Sequence, residues 1–204
     1  MKSASTIMII GSALLLSLFI YPLWIVELEA PQYPDGLGMF IHLNGLVGFT
    51  EFDLQNIDGL NHYIGMQTLP KPNEMWEFSV FPIVVGGMAI LGIIIGLLGF
   101  LNKISYNWFL YWLILMTVLG IMGMFDFNAW MTDYGSNLDP KAIIKVTESD
   151  GTPFSYKPPL LGSRDILNFT AISYPGIGGV LLTIGMFLTF VAYLVGLKTK
   201  KNKS

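Results

Sequence analysis

The sequence predicts an all-α membrane protein. It would have four transmembrane helices, both termini inside, and two extracytoplasmic loops of about 50 residues each that form a small cap. Three observations predict this. Of 204 residues, 53% are hydrophobic and only 12% charged, with a mean hydropathy of +0.60, which is too apolar for an ordinary soluble domain. Four runs, at 6–26, 79–101, 108–125 and 174–197, have the roughly 17–25 apolar residues that a bilayer crossing needs. Lysine and arginine also alternate with acid along the chain in the sense that orients membrane segments.

Taken in order, the first run is longer than the roughly 7–15 apolar residues of a signal-peptide core. Its only small-residue exit, Ala30, is followed by Pro31, so it reads as a retained anchor. The loop 27–78 holds eight acids and one lysine. In it, Tyr33-Pro34-Asp35-Gly36 reads as a turn, and 39–47 mixes apolar residues in a strand-like pattern. The segment 53–59 is polar and turn-prone, and Asn61 would cap a short helix.

The second span carries Gly92 and Gly96 in a G-x-x-x-G pattern, which suits close helix packing or docking to another membrane subunit. Pro82 and Pro175 are placed in first helical turns, where a missing N–H costs little. A short link with Lys103 leads to the third span. Its Trp108, Phe109, Tyr111 and Trp112 fit an interfacial belt, and its Met116, Met122 and Met124 fit adaptable core packing. The loop 126–173 is mixed in charge and dense in Asp, aromatic, Gly and Pro residues, which points to a compact shape. The fourth span ends in a lysine-rich tail. Lys2, Lys103 and the tail lie in regions without acid, so those regions face the cytoplasm. The whole chain, 1–204, forms a single integral membrane domain of the bacterial inner membrane.

Several functions are excluded by composition. With no cysteine there are no disulfides, thiolate metal sites or c-type haem attachment. No acid, base or histidine lies deep in a span, which argues against an ion pathway through the bilayer. A formal charge of −3 gives no reason to expect nucleic acid, and no nucleophile elbow, zincin motif, P-loop or dinucleotide fingerprint appears. An EF-hand reading of Asn56-Ile57-Asp58-Gly59 fails, because Leu54 and Gly65 stand where carboxylates are needed.

What remains is an unusual donor set. Both histidines, His42 and His62, fall in the first outer loop, each with a nearby methionine, Met39 and Met66. Imidazole and thioether together suit copper, especially Cu(I). If Asn61 begins a helix, His62 and Met66 stand at i and i+4 on one face. Met39 and His42 share a face only in a helix, since in a strand they point oppositely. Asp126 and Asn128, where the third span leaves the membrane, could reach a shared site over the bundle.

The loop motifs resemble a family of small four-span membrane proteins encoded in nitrous oxide reductase gene clusters, chiefly of the clade II type. The resemblance is carried by Glu29-Ala30-Pro31-Gln32-Tyr33-Pro34, by 59–66 with its Asn61-His62-Tyr63-Ile64-Gly65-Met66, by 133–140, by Ile144-Lys145-Val146, by Pro158-Pro159-Leu160 and by 168–179. It spans both outer loops. It implies a role in assembling, supplying copper to, or anchoring an outer-compartment copper reductase. It brings His62 and Met66 into one shared element, and Asp133, Tyr134, Gly135, Asp139 and Pro140 into a second. Ser136 departs from that second element, where His is expected.

The leading expectation is therefore a non-catalytic accessory protein for denitrification. It would hold copper through His62 and Met66 with His42 and Met39 as auxiliaries, and Asp126, Asn128, Asp133, Tyr134 and Asp139 would serve as supporting or docking groups. One alternative is a metal-free anchor for a soluble reductase or cytochrome. Another is a quinol-oxidising electron-transfer subunit, with Asp126, Trp130 and Tyr134 lining the site.

Overall fold

A computed structural model describes residues 1–147 and 150–201; Glu148 and Lys203, counted above among the charges, lie outside them. Helix α1 (Lys2–Ala13) runs into a 3-10 turn (Leu14–Phe19), and strands β1 (Trp24–Ala30), β2 (Tyr33–His42) and β3 (Gly45–Gly48) follow. Helices α2 (Asp53–Ile64), α3 (Glu77–Phe100) and α4 (Asn107–Ser136) come next, then β4 (Gly162–Ile166), β5 (Phe169–Pro175) and α5 (Ile177–Lys201). Four helical segments, α1 with its 3-10 extension, α3, α4 and α5, are long and apolar enough to cross a membrane.

The all-α expectation is overturned. The two segments between the helices build one five-stranded antiparallel sheet, in the order β3-β2-β1-β5-β4. With 54% of residues helical and 18% in strands, the fold is mixed. The physical reason lies in 24–30, which alternates with the period of two of a half-buried strand and adjoins an apolar helix. Counted with that helix, it lengthens the first span; in the structure the helical part stops at Phe19. The strand's central partner, β5, comes from about 145 residues later, pairing Trp24 with Pro175 and Glu29 with Thr170.

Other boundaries shift for local reasons. Helix α4 continues past 125 to Ser136, so Asp126, Asn128 and Asp133 are helical rather than part of a loop. Asn61 lies inside α2, which begins at Asp53. Pro175 ends β5, and Pro82 is the sixth residue of α3, in its second turn.

Helix α1 is the centre of the helical layer. Met8, Ser12 and Leu15 are fully covered, between α3 on one side and α5 on the other. The glycine face of α3 is occupied by this contact: Gly92 meets Ser12 and Gly96 meets Ile9. Along α4, Trp108 and Tyr111 face outward as an interfacial belt would. Phe109 and Trp112 instead fill the core, and the Trp112 indole donates to the Met88 carbonyl at 2.9 Å. Met116 packs in that core, while Met122 and Met124 face outward.

The sheet stands at one end of the helices. Strand β1 follows the first helical segment directly, and β5 leads straight into α5. Every described acid lies at this end, whereas Lys2, Lys103 and Lys198 lie at the other. One face of the sheet carries Trp24, Val26, Leu37 and Met39 and is covered by α2 and the C-terminal end of α4. Leu138, Phe154 and Tyr156 cover the rest of that face around Ile166 and Ala171.

Candidate functional site

Helix α2 positions the first pair of predicted ligands. Its start is tied down by Asp53, a buried carboxylate that accepts from the Gly38 amide at 3.0 Å and from the Thr50 hydroxyl. Its end is closed by Gly65, whose φ of 79° lies in the left-handed region. A side chain there would be strained, and a Cβ would stand 2.7 Å from Ala142 Cβ. The Met66 amide returns to the Asn61 carbonyl at 2.9 Å, so the chain reverses between His62 and Met66. His62 is left exposed on the outer side of α2, and Met66 turns inward against both sheet cores. The one-face geometry of i and i+4 therefore does not arise, because it requires an unbroken helix through Met66.

Met39 and His42 lie in β2, with the consequence noted for a strand. Met39, 7% exposed, packs in the core opposite Val26. His42 has the opposite parity and lies half-buried on the other face, across from Gly45. Among the described residues, no group of three or more His, Asp or Glu side chains converges as a metal site would require. The four candidate donors occupy three different surroundings.

Burial holds the His42 imidazole below its ordinary value. A depressed folded-state pKa means the unfolded chain binds more protons, so this stability is present above pH ~6.5 and is lost as pH falls through the folded value. Chemical or thermal denaturation between pH 8 and 5 is expected to show the sheet weakening on the acid side. His42→Gln should flatten that part of the profile, and an unchanged profile would refute the assignment.

The second predicted group is brought together in part. Tyr134 is buried, stacked on Trp130 at 4.9 Å and 16°, and its hydroxyl accepts from the Asn61 side-chain amide. Burial, and secondarily the charge of Asp58, raise its ionisation well above the usual phenol range; the Asn61 bond opposes this only in part. This contact fastens α2 to the end of α4, so the phenol is structurally engaged. Asn128 accepts from the Lys157 ammonium at 2.8 Å, and Asp126 is half-buried beside it in sequence. Asp133 is exposed. Asp139 caps its own turn by accepting from the Lys141 amide at 2.8 Å, while its backbone amide reaches the Gly65 carbonyl. Trp130 also borders a shallow hollow of about 380 Å³ with Trp76, Glu74 and Glu77, at the start of α3.

The residues that sequence reasoning missed are on the uncovered sheet face. By register this face carries Ile25, Glu27 and Glu29 of β1, Phe40 of β2, Ser163 and Asp165 of β4, and Thr170, Ile172 and Tyr174 of β5. The Tyr174 hydroxyl donates to Glu27, and that bond to the carboxylate, more than desolvation, pushes the phenol up to about 12. Phe49 folds over Gly38 and packs on Phe40, ring centres 4.6 Å apart. The sheet end away from the helices carries a groove of about 660 Å³, bordered by Glu27, Glu29, Asp35, Phe49, Asn168 and Thr170, with no lysine, arginine or histidine in its lining. The signal lies in Trp24–Ala30, where acids alternate with apolar residues; the adjoining apolar helix masks it, because 24–26 would also extend that helix.

Comparisons with family models, with curated proteins and with solved structures give no match.

Proposed function

We propose that this chain is a non-catalytic docking subunit of the bacterial inner membrane. Both termini would be cytoplasmic, and the sheet would stand in the outer compartment to hold a soluble partner at the membrane. The resemblance in the loop motifs makes that partner an extracytoplasmic copper reductase of the nitrous oxide reductase type, or a cytochrome serving it. One observation carries the reading: two segments far apart in sequence are joined through β1 and β5 into one sheet, whose strands lead directly into helices able to span a bilayer. Such a platform has a fixed height and orientation, which suits presentation of a partner rather than flexible carriage of an ion. Copper delivery through His62 and Met66, with His42 and Met39, draws its support from ligand chemistry and the resemblance. The separation of these side chains favours docking instead.

The test is removal of the protein from its own cell, followed by membrane fractionation and metal analysis of the reductase. Under the docking reading the reductase or its cytochrome leaves the membrane fraction while the reductase keeps its copper. If attachment is unchanged and the reductase loses copper, docking is wrong and metal supply is the better account.

A further inference from the structure

We infer that the uncovered sheet face, centred on the groove of Glu27, Glu29 and Asp35, is the surface on which a soluble protein docks through a patch of lysine and arginine. This rests on the docking reading above and adds to it the location and the chemistry of the partner.

The face is built of alternate residues, so its carboxylates follow from β1 itself. Glu27 and Glu29 project to the side opposite Val26 and Leu28, and Asp165 joins them across β5 through Thr170, whose hydroxyl donates to it at 2.8 Å. Asp35 closes the groove from β2. Two cations near β4, Arg164 and Lys157, are engaged elsewhere. Arg164 has the opposite parity to Asp165 and donates to the Lys157 carbonyl at 3.1 Å, and Lys157 donates to Asn128. Among the described residues no lysine or arginine borders the groove, and His42, on the same face, lies at the other end of β2 from it.

Apolar groups stand beside the charge. Phe49 borders the groove, and Leu167, exposed at the β4–β5 turn with a φ of 56°, adjoins the groove residue Asn168. A bulky residue in the left-handed region is unfavourable unless something holds it there. Charge for steering, with a few apolar anchors within it, is the composition of a protein-docking surface.

The charge pattern also selects the occupant. Two copies of this chain set face to face would oppose carboxylate to carboxylate. Anionic lipid and nucleic acid carry the wrong sign. Bare divalent cations lack a converging ligand set among the described residues. The groove lies at the end of the sheet away from the helices. Glu29 is about 16 Å along β1 from Trp24 at a strand rise of about 3.3 Å per residue, within reach of a soluble protein above the membrane.

The experiment places a photo-crosslinking amino acid at Ser163, on the uncovered face, or at Gln55, on the outer side of α2, in the full chain in its native membranes. Crosslinks are then identified by mass. Each is repeated with Glu29→Gln and Asp35→Asn together, and with the equal charge change Glu51→Gln and Asp150→Asn. All four residues are exposed, so the variants should fold. The expected result is a soluble protein with an exposed basic patch captured from Ser163 and not from Gln55. Its yield should fall at least fivefold in the groove pair, with less than a twofold change in the other pair. Capture only from Gln55 overturns this face assignment and leaves the docking reading standing. Equal losses in the two pairs, or an acidic captured protein, also overturn it. Capture from neither position overturns both.

Discussion

Replacing Gly96 by leucine is expected to lower the stability of the helical layer by about 3 kcal/mol or more, and Gly87→Leu, on the same helix, to change it little. A Cβ on Gly96 would stand 2.5 Å from Ile9 Cγ1, 3.2 Å from the Ile9 backbone nitrogen and 3.3 Å from the Ser5 carbonyl oxygen. The side-chain contact can rotate away; the two backbone contacts cannot. Helix α1 must therefore move off α3 as a body, and overpacking that shifts side chains and backbone costs about 1–3 kcal/mol and occasionally more. Displacing α1 also disturbs its other side, where Gly11 lies against the Gly185 carbonyl oxygen at 2.7 Å from a built Cβ. Close backbone approach is what small residues contribute where burial from water does not drive helices together. Gly87 has nothing within 4 Å of its built Cβ. The check is the apparent melting temperature of both variants in one detergent, followed by tryptophan fluorescence. A drop of roughly 6–12 °C is expected for Gly96→Leu alone. Equal behaviour of the two would show that α1 and α3 do not pack as described.

Trp24→Ala is expected to open the sheet while leaving the helices in place, at a cost of about 3–5 kcal/mol. Trp24 is 9% exposed and occupies the corner where sheet and helices meet. Its backbone pairs with Ile41 on one side and Pro175 on the other, its ring meets Phe127 of α4 edge-on at 6.0 Å, and its indole N–H donates to the Ser173 hydroxyl at 2.7 Å. One side chain thus links β1, β5 and α4, the three elements through which the two segments between the long helices are joined. Removing it leaves a cavity and takes from Ser173 its indole donor, although that hydroxyl keeps the Leu160 carbonyl as an acceptor. Trp24→Phe keeps most of the apolar surface and should cost only about 0.5–1.5 kcal/mol, the net worth of the one hydrogen bond lost, because Ser173 keeps its bond to Leu160. Limited proteolysis separates the outcomes. Cleavage should appear between residues 137 and 161 in Trp24→Ala before the helical core is lost. Resistance of 137–161 to cleavage in that variant would mean that the sheet is held by other contacts.

The sequence and the structure agree on the helices and part over the segments between them, and particular residues show why. A run such as 79–101 is apolar throughout its length, so its behaviour is decided by its own composition. Trp24–Ala30 is equally explicit as a strand pattern, but next to an apolar helix the same residues also extend that helix. The ambiguity is resolved only by hydrogen-bond partners on β2 and β5. The candidate metal ligands failed to converge for a similar reason. Spacing places His62 and Met66 on one face only while the helix lasts, and Gly65 ends it between them. Met39 and His42 separate because a strand alternates its side chains. The acidic groove was illegible because Asp35 meets Glu27 and Glu29 across a strand pair, and Asn168 and Thr170 arrive from the far end of the chain.

What the sequence determined by itself is what depends on composition and local order: four helices apolar and long enough to cross a membrane, acid confined to one end of them with only lysine as charge at the other, and no cysteine chemistry. What only the tertiary structure decided is the sheet, the covered and uncovered sides of it, and the surroundings of each histidine and methionine. Helical hydrogen bonds close within four residues and can be read along the chain. Strand hydrogen bonds close between segments, here across about 145 residues, so a strand's partner, and with it the face each side chain occupies, is settled only when the chain has folded.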